Sequence, residues 1–224
     1  MPLGELSLSK SSGRNALQAI FLKMRKGLGI SLAVVGVLHP FFIYFGLKLY
    51  SSRIIAFLLG LFAIGSFFLQ EKHKHQIRLL VPFFIIVFMC TFGVMLNSSI
   101  FILYLPCFIS GSLLVSFGHS LVYPPTTIEV FARMLVSDLS PEEMVHCRRV
   151  TLVWVIFFLL NGVAAAYTAC CTSLEVWSLY NGLIAYVVMG MLFIAELSYR
   201  SWRFRRYPGL PTDFIFKKLF PPEG

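Results

Sequence analysis

The chain has 224 residues, of which 58% are hydrophobic and 13% are charged. Ordinary globular proteins contain about 45–50% apolar and about 25% charged residues, so too few charged side chains remain to cover a water-soluble fold of this size. The net charge of +9 would suggest nucleic acid in a soluble protein. In a membrane protein, however, Lys and Arg gather on the cytoplasmic side and face anionic lipid. We therefore expect a phospholipid bilayer, and no nucleic acid, as the partner.

Six apolar segments are candidates for transmembrane helices. A hydrocarbon core of about 30 Å needs roughly 20 helical residues. The segments cover residues 27–47, 54–70, 79–96, 100–120, 150–171 and 177–196. The sequence therefore predicts an all-α integral membrane protein, a bundle of about six transmembrane helices.

The basic residues predict the orientation of these helices. The N-terminal tail 1–26, the links after the second and fourth segments and the C-terminal tail 197–224 hold 17 of the 19 Lys and Arg residues. The other side holds only Lys48 and Arg53. By the positive-inside rule, both termini are cytoplasmic. The first apolar run exceeds a typical signal-peptide core and no A-x-A-like site follows it, so we expect it to be retained.

The connection 121–149, between the fourth and fifth segments, contains two helix starts. Thr126 is followed three residues later by Glu129, which predicts a capping box. The helix that it opens is amphipathic, because its apolar residues recur on one face: Ile128, Phe131 and Leu135. We expect this helix on the cytoplasmic leaflet or packed on the bundle.

A second capping box opens the fifth helix before its apolar segment begins. Ser140 is the predicted cap, Pro141 takes the first helical position and Glu143 follows three residues after the cap. We expect the helix to run unbroken into 150–171, so that about two turns project into the cytoplasm.

Two groups of polar residues are candidates for a site inside the bundle. In the fifth helix, Trp154 and Asn161 share a face with Phe157 and Phe158. An amide inside a bilayer costs free energy unless it is hydrogen-bonded, so Asn161 should point into the bundle. The sixth helix opens with Trp177, Tyr180 and Asn181. Two interpretations stand, namely interhelical hydrogen bonds with an aromatic belt, or a lined substrate or lipid pocket.

Ionisable residues collect at the cytoplasmic ends of the helices. Arg148 and Arg149 precede the fifth segment, His119 ends the fourth, and Glu196 ends the sixth with Arg200 four residues later. They are either anchors and i,i+4 pairs at the membrane surface or a functional site. In the second case the arginines bind an anionic headgroup or phosphate, and His119 and Glu196 form an acid/base pair.

Motifs for cofactor and metal chemistry are missing from the sequence. The five cysteines show no C-x-x-C or Cys/His ligand spacing. The sequence also lacks the nucleotide-binding motifs G-x-x-x-x-G-K-[ST] and G-x-G-x-x-G, the hydrolase motif G-x-S-x-G and the zinc-binding motif H-E-x-x-H. We expect no cofactor and no metal, and a non-catalytic role is favoured.

The stretch 131–200 resembles a known family. Its sequences FARMLVSDLSPEE, RRVTLVWVIFFLLNG and VWSLYNGLIAYVVMGMLFIAEL are similar to a family of bacterial inner-membrane proteins encoded in aryl polyene (xanthomonadin-type) pigment biosynthesis gene clusters. The resemblance implies a location in the bacterial inner membrane and a role in making or delivering an aryl polyene lipid. It also implies partners among the biosynthetic or export proteins and the acyl carrier protein that bears the precursors.

Three functional hypotheses follow. The first is a non-catalytic membrane component that helps to pass a hydrophobic polyene or acyl product onward. The second is an integral-membrane acyl or lipid transferase that uses His119 or Glu196 as base and binds an anionic group with Arg148 and Arg149. The third is a small lipid or solute carrier in which Asn161 and Asn181 line a path.

Overall fold

The computed structural model describes residues 38–69, 77–136, 138–207 and 213–221, with the backbone alone at 66–69 and 77–82. The tail 1–26 and most of the first predicted span, 27–47, lie outside the described residues. Nearly all of the described residues are helical, and no strand occurs among them.

The helices follow one another closely along the chain. Residues 38–49 form α1 in the described part. They are followed by α2 (Ser52–Leu69), α3 (Ile77–Leu96), α4 (Ile100–Leu103), α5 (Leu105–Val122), α6 (Thr127–Leu135) and α7 (Pro141–Cys171). The last elements are α8 (Leu174–Leu179), a π-helical turn (Tyr180–Ile184), α9 (Ala185–Phe204) and α10 (Asp213–Leu219).

Three helices are long and apolar enough to cross a membrane. They are Leu105–Val122, Pro141–Cys171 and the continuous stretch Leu174–Phe204. The second and third have 31 residues each, about 46 Å at 1.5 Å per residue, so both extend beyond a hydrocarbon core of about 30 Å. Two further apolar helical stretches, Ser52–Gly65 and Phe83–Leu96, are shorter. The structure thus supports a helical membrane protein.

The fourth predicted span, 100–120, is not one helix. A turn at Tyr104 separates α4 from α5, and Pro106 lies in the first turn of α5. Proline has no N–H to donate to the carbonyl four residues earlier, and its ring clashes with that carbonyl. The candidate span in this segment is therefore Leu105–Val122, which begins five residues later than the predicted 100–120.

The two predicted helix starts form differently. Thr126 Oγ1 accepts a hydrogen bond from the Glu129 backbone N–H, but the Glu129 carboxylate binds Arg133 instead of closing the box. At α7 the box is complete, since Ser140 accepts from the Glu143 N–H and Glu143 accepts from the Ser140 N–H. As predicted, α7 then runs without a break from Pro141.

Small residues allow the helices to pack closely. A side chain at Gly162 of α7 would place its Cβ 3.4 Å from the Cβ of Ser110, so α5 and α7 lie in tight contact there. Likewise, a Cβ at Gly93 of α3 would lie 3.1 Å from that of Ala56 in α2. One buried cluster contains Trp177 and joins α1, α2, α3, α4, α5 and α8. A second, centred on Trp154, joins α5, α6, α7 and α9.

Candidate functional site

The first turns of α7 and the last turns of α9 line an open cleft of about 360 Å³, which we call the α7–α9 cleft. Its wall combines aromatic rings with charged side chains. The lining residues are Pro141, Glu142, Val145, His146, Arg149, Tyr199, Arg203 and Phe204. The cleft therefore lies between the N-terminal end of α7 and the C-terminal end of α9.

His146 is held in this cleft by aromatic rings. Its imidazole stacks on Tyr199, with the ring centroids 5.0 Å apart, and meets the edge of Phe204 at 5.6 Å. His146 Nε2 is buried and makes no hydrogen bond among the described residues. It lies 3.7 Å from Glu196 Oε1, slightly beyond hydrogen-bond length. The geometry thus places an imidazole beside a carboxylate without a closed hydrogen bond.

Glu196 is also bound to its own helix. Arg200 Nε donates to Glu196 Oε1 at 2.9 Å, the predicted i,i+4 pair. His119, the residue expected beside Glu196, is exposed and lies with its ring 4.7 Å from that of Tyr123. The histidine that contacts Glu196 is therefore His146. The described contacts of His119 are with Tyr123 and those of Glu196 are with His146 and Arg200, so a His119–Glu196 acid/base pair stays a prediction.

The two adjacent arginines of α7 differ in their surroundings. Both Arg148 and Arg149 are exposed, and neither makes a hydrogen bond or ion pair among the described residues. Only Arg149 lines the cleft. The other cleft arginine, Arg203, is paired with Glu142 at 2.9 Å. The cleft therefore has an aromatic wall and one guanidinium that is free to bind an anion.

A second cavity, of about 200 Å³, lies between α6, α7, α9 and α10, and we call it the Trp154 groove. Apolar side chains form most of its wall, including Phe131, Trp154, Phe193 and Phe216. Its polar residues are Glu143, Glu196, Arg200, Ser201, Arg206 and Asp213. Because Glu196 lines the groove and His146 lines the cleft, the contact between these two side chains forms part of the wall that separates the cavities.

The side-chain amide of Asn161 forms hydrogen bonds through both its nitrogen and its oxygen. Its Nδ2 donates to Ser110 Oγ of α5 at 2.9 Å, and the Tyr180 hydroxyl donates to its Oδ1 at 3.1 Å. Asn181 Nδ2 donates to Thr168 Oγ1 and to the Trp177 carbonyl, while its buried Oδ1 has no hydrogen bond. The geometry favours interhelical hydrogen bonding over a lined path for these amides.

Trp177 does not belong to a lipid-facing belt, because only 1% of it is exposed. Its indole Nε1 donates to the carbonyl of Leu103 at 2.9 Å. Leu103 is the last residue of α4, directly before the turn at Tyr104. The break between α4 and α5 therefore leaves a carbonyl for Trp177 to bind. The helix that contains Trp177 begins at Leu174, three residues earlier than predicted. In the π-helical turn that follows, Gly182 packs against the ring of Phe41.

Lys48 and Arg53, the two basic residues predicted on the outer side of the membrane, both form hydrogen bonds with other parts of the protein. Lys48 forms an ion pair with Glu175 at 3.0 Å and donates to the Tyr44 hydroxyl. The hydrogen bonds to Tyr44 and Glu175 raise the pKa of Lys48, and the bond to Tyr44 has the larger effect. Arg53 Nε donates to the Val94 carbonyl at 3.1 Å. Lys48 thereby ties α1 to the start of α8.

His146 and Arg203 were missed as site residues in the sequence, although a signal for them exists. Glu142, His146 and Arg149 recur at i, i+4 and i+7, a spacing that places them on one face of α7. Tyr199 and Arg203 are likewise four residues apart in α9. This spacing indicates a shared face on each helix, while the contact between the two faces is seen only in the structure.

Comparison with protein-family models, with curated proteins and with solved structures found no match to this chain. Among the described residues, no group of three or more His, Cys, Asp and Glu side chains is placed to hold a metal ion. Interpretation of the site therefore rests on its own geometry.

Proposed function

We propose that the chain is a polytopic protein of the bacterial inner membrane that assists the biosynthesis or delivery of an aryl polyene-type lipid. It acts as a non-catalytic component, with about six transmembrane helices and both termini in the cytoplasm. Its α7–α9 cleft and Trp154 groove open at the cytoplasmic end, where precursors bound to acyl carrier protein are made. The resemblance of residues 131–200 supports the lipid class, and the cavities support the mode of action.

The charge distribution supports this orientation. Seventeen of the 19 basic residues lie on the side that includes the cleft. On the same side, α6 exposes the apolar side chains Phe131, Met134 and Leu135. Its Arg133 is paired with Glu129 along the helix. Apolar side chains exposed on a short helix beside the bundle are suited to the lipid interface, so α6 lies on the cytoplasmic leaflet.

The unpaired Arg149 in an aromatic-walled cleft is the observation that carries the proposed binding role. A guanidinium binds carboxylate or phosphate oxygens through two parallel hydrogen bonds. The rings of Tyr199 and Phe204 offer an apolar surface to the part of the ligand next to that anionic group. An amphiphile with one anionic end fits this combination, whereas a wholly apolar molecule would leave Arg149 unused.

A transferase is the second candidate, and one observation favours it. His146 Nε2 is buried 3.7 Å from the Glu196 carboxylate, an arrangement that can orient an imidazole as a general base. No Ser, Thr or Cys occurs among the described residues that line the cleft, and the nearby Cys147 is fully buried. With His146 as the base, a transferase would activate a hydroxyl or thiol of its substrate, since no Ser, Thr or Cys lines the described cleft.

Lipid extracts of a deletion strain test the proposal. We expect the amount of mature pigment lipid in the outer membrane to fall, as measured by mass spectrometry of separated membranes. The lipid is then either retained in the inner membrane or made in a smaller total amount. An accumulated precursor that lacks one acyl or headgroup unit would support the transferase instead. Unchanged amounts and locations of every pigment lipid would overturn both.

Complementation with histidine variants separates the two candidates. His146→Ala removes the imidazole beside Glu196, and His119→Ala removes an exposed imidazole outside the cleft. A transferase loses its product with His146→Ala and keeps it with His119→Ala. A non-catalytic component retains at least part of its product with His146→Gln, because the side chain still fills the cleft wall without serving as a base. Loss of product in His146→Gln with normal protein levels would contradict the non-catalytic role.

A further inference from the structure

Two adjacent cysteines close the last turn of α7. Cys170 and Cys171 are exposed, whereas Cys90 and Cys147 are buried and Cys107 is half-buried. The helix ends at Cys171, and Thr172 has an extended backbone. Of the five cysteines, these two are therefore the least covered by other parts of the protein.

The sulfur atoms of this pair are in direct contact. Cys170 Sγ and Cys171 Sγ lie 2.7 Å apart, and either can donate to the other. Cys170 Sγ also lies 3.6 Å from the Tyr167 carbonyl. A thiolate formed at one sulfur is thus accompanied by an S–H donor at the other. The second thiol is thus within reach of a sulfur that has formed a mixed disulfide.

The helix end gives the backbone room for that reaction. Consecutive Cα atoms are about 3.80 Å apart, less than the roughly 4.4–6.8 Å of most disulfides. A bond between neighbouring cysteines is therefore strained, and strained disulfides are more easily reduced. The last carbonyls of a helix lack intrahelical partners, so the backbone at 170–171 can adjust at less cost than in the middle of α7. Such a pair suits reversible exchange better than permanent cross-linking.

We propose that Cys170 and Cys171 form a redox-active dithiol that exchanges with disulfides on the face of the membrane opposite the cleft. One thiolate of the pair attacks a sulfur of the partner disulfide, which breaks and releases one partner thiol. The second cysteine then attacks the resulting mixed disulfide, forms the Cys170–Cys171 bond and releases the other partner thiol. In this direction the chain loses two electrons and two protons, and the partner disulfide gains them. Because the strained Cys170–Cys171 bond is easily reduced, the reverse reaction, in which it oxidises two partner thiols, completes the exchange. The periplasmic location of the pair rests on the proposed orientation, while its chemistry does not.

Oxidised glutathione is the probe for the chemistry. The purified full-length chain in detergent is treated with it, quenched with acid and analysed by mass spectrometry. We expect the wild-type chain to lose two hydrogens at the peptide that contains 170–171 and to carry no stable glutathione there. Cys171→Ser and Cys170→Ser should each stop at one glutathione adduct, because no second thiol resolves it. The control Cys90→Ser should behave like the wild type, since Cys90 is buried.

Two results would overturn the dithiol. One is a wild-type chain that carries glutathione on both cysteines. The other is a pair that stays unreactive in the wild type and in both single variants, although circular dichroism shows that they are folded. In intact cells, a membrane-impermeant maleimide should label the pair after mild reduction. Labelling only in permeabilised cells would overturn the orientation, and with it the periplasmic placement, while the glutathione result still decides the chemistry.

Discussion

The hydrogen bond between Trp177 and Leu103 should make Trp177 one of the side chains on which the fold most depends. Trp177→Phe keeps an aromatic ring but removes the Nε1–H that donates to the Leu103 carbonyl at 2.9 Å. The indole is shielded from water, because Trp177 is 1% exposed and packs in the cluster that joins α1, α2, α3, α4, α5 and α8. Water therefore cannot readily replace the lost donor.

Trp177→Phe lowers the free energy of unfolding in two ways, through the lost hydrogen bond and through the lost packing contacts. An interhelical hydrogen bond in a membrane protein averages about 0.6 kcal/mol and reaches about 1.7 kcal/mol, and an unpaired buried carbonyl costs about 1–3 kcal/mol. The smaller ring also loses packing contacts, a fraction of the roughly 3–5 kcal/mol measured for truncating a buried aromatic residue to Ala. We expect Trp177→Phe to lower the free energy of unfolding by about 2–4 kcal/mol.

The other two tryptophans provide matched controls. Trp154→Phe loses buried contacts with Phe157, Phe158 and Phe193 but no hydrogen bond of the described structure, so about 1–2 kcal/mol is expected. Trp202 is 53% exposed, and its replacement by Phe should change stability by less than about 0.5 kcal/mol. Reversible unfolding of the purified chain in mixed micelles, titrated with SDS, gives all three values. If Trp177→Phe were no more destabilising than Trp154→Phe, the role assigned to the hydrogen bond would be refuted.

Two further predictions use the same assay. Asn161→Leu should lower the free energy of unfolding by about 1–2 kcal/mol, because it removes two interhelical hydrogen bonds of about 0.6 kcal/mol each and leaves the Tyr180 hydroxyl unpaired; a neutral or stabilising effect would contradict the network. Glu196→Gln should cost about 1–3 kcal/mol, since only 14% of its side chain is exposed and Arg200 loses its partner, whereas Glu142→Gln, with a side chain 69% exposed, should cost less than about 1 kcal/mol. If Glu196→Gln and Glu142→Gln lowered the free energy of unfolding equally, burial would not explain how much each ion pair contributes to stability.

The start of α7 was predictable because it depends on local chemistry. Ser140, Pro141 and Glu143 satisfy the first turn of the helix by themselves, so neighbours in sequence determine the outcome. The helical membrane class was predictable for a similar reason, since hydropathy over about 20 residues needs no knowledge of the partner helices.

The break at Tyr104 also had a local cause that the sequence analysis overlooked. Pro106 removes a donor that an unbroken helix would need. Hydropathy alone does not register this loss, because Pro106 lies within an apolar run. The consequence, a carbonyl of Leu103 offered to Trp177 seventy-four positions away, could not be read from the sequence, since it depends on how α8 packs against α4.

The site residues show the same division between local and long-range information. The i,i+4 pair of Glu196 and Arg200 was predictable from spacing. The choice of His146 rather than His119 as the neighbour of Glu196 was not, because it depends on which ends of α7 and α9 meet. Spacing indicates which residues share a face of one helix, but not which helix that face contacts.

The adjacent arginines of α7 allow the most direct test of the claim that the α7–α9 cleft carries the function. Arg148 and Arg149 are both exposed and unpaired in the described structure, but only Arg149 lines the cleft. A deletion strain is complemented with Arg149→Ala or Arg148→Ala at matched protein levels, and pigment lipid in the outer membrane is quantified by mass spectrometry. The account predicts that Arg148→Ala restores wild-type amounts and that Arg149→Ala restores less than about a tenth, as expected when a charge-assisted pair of about 1.5–3 kcal/mol is lost. Equal restoration by both variants would contradict it.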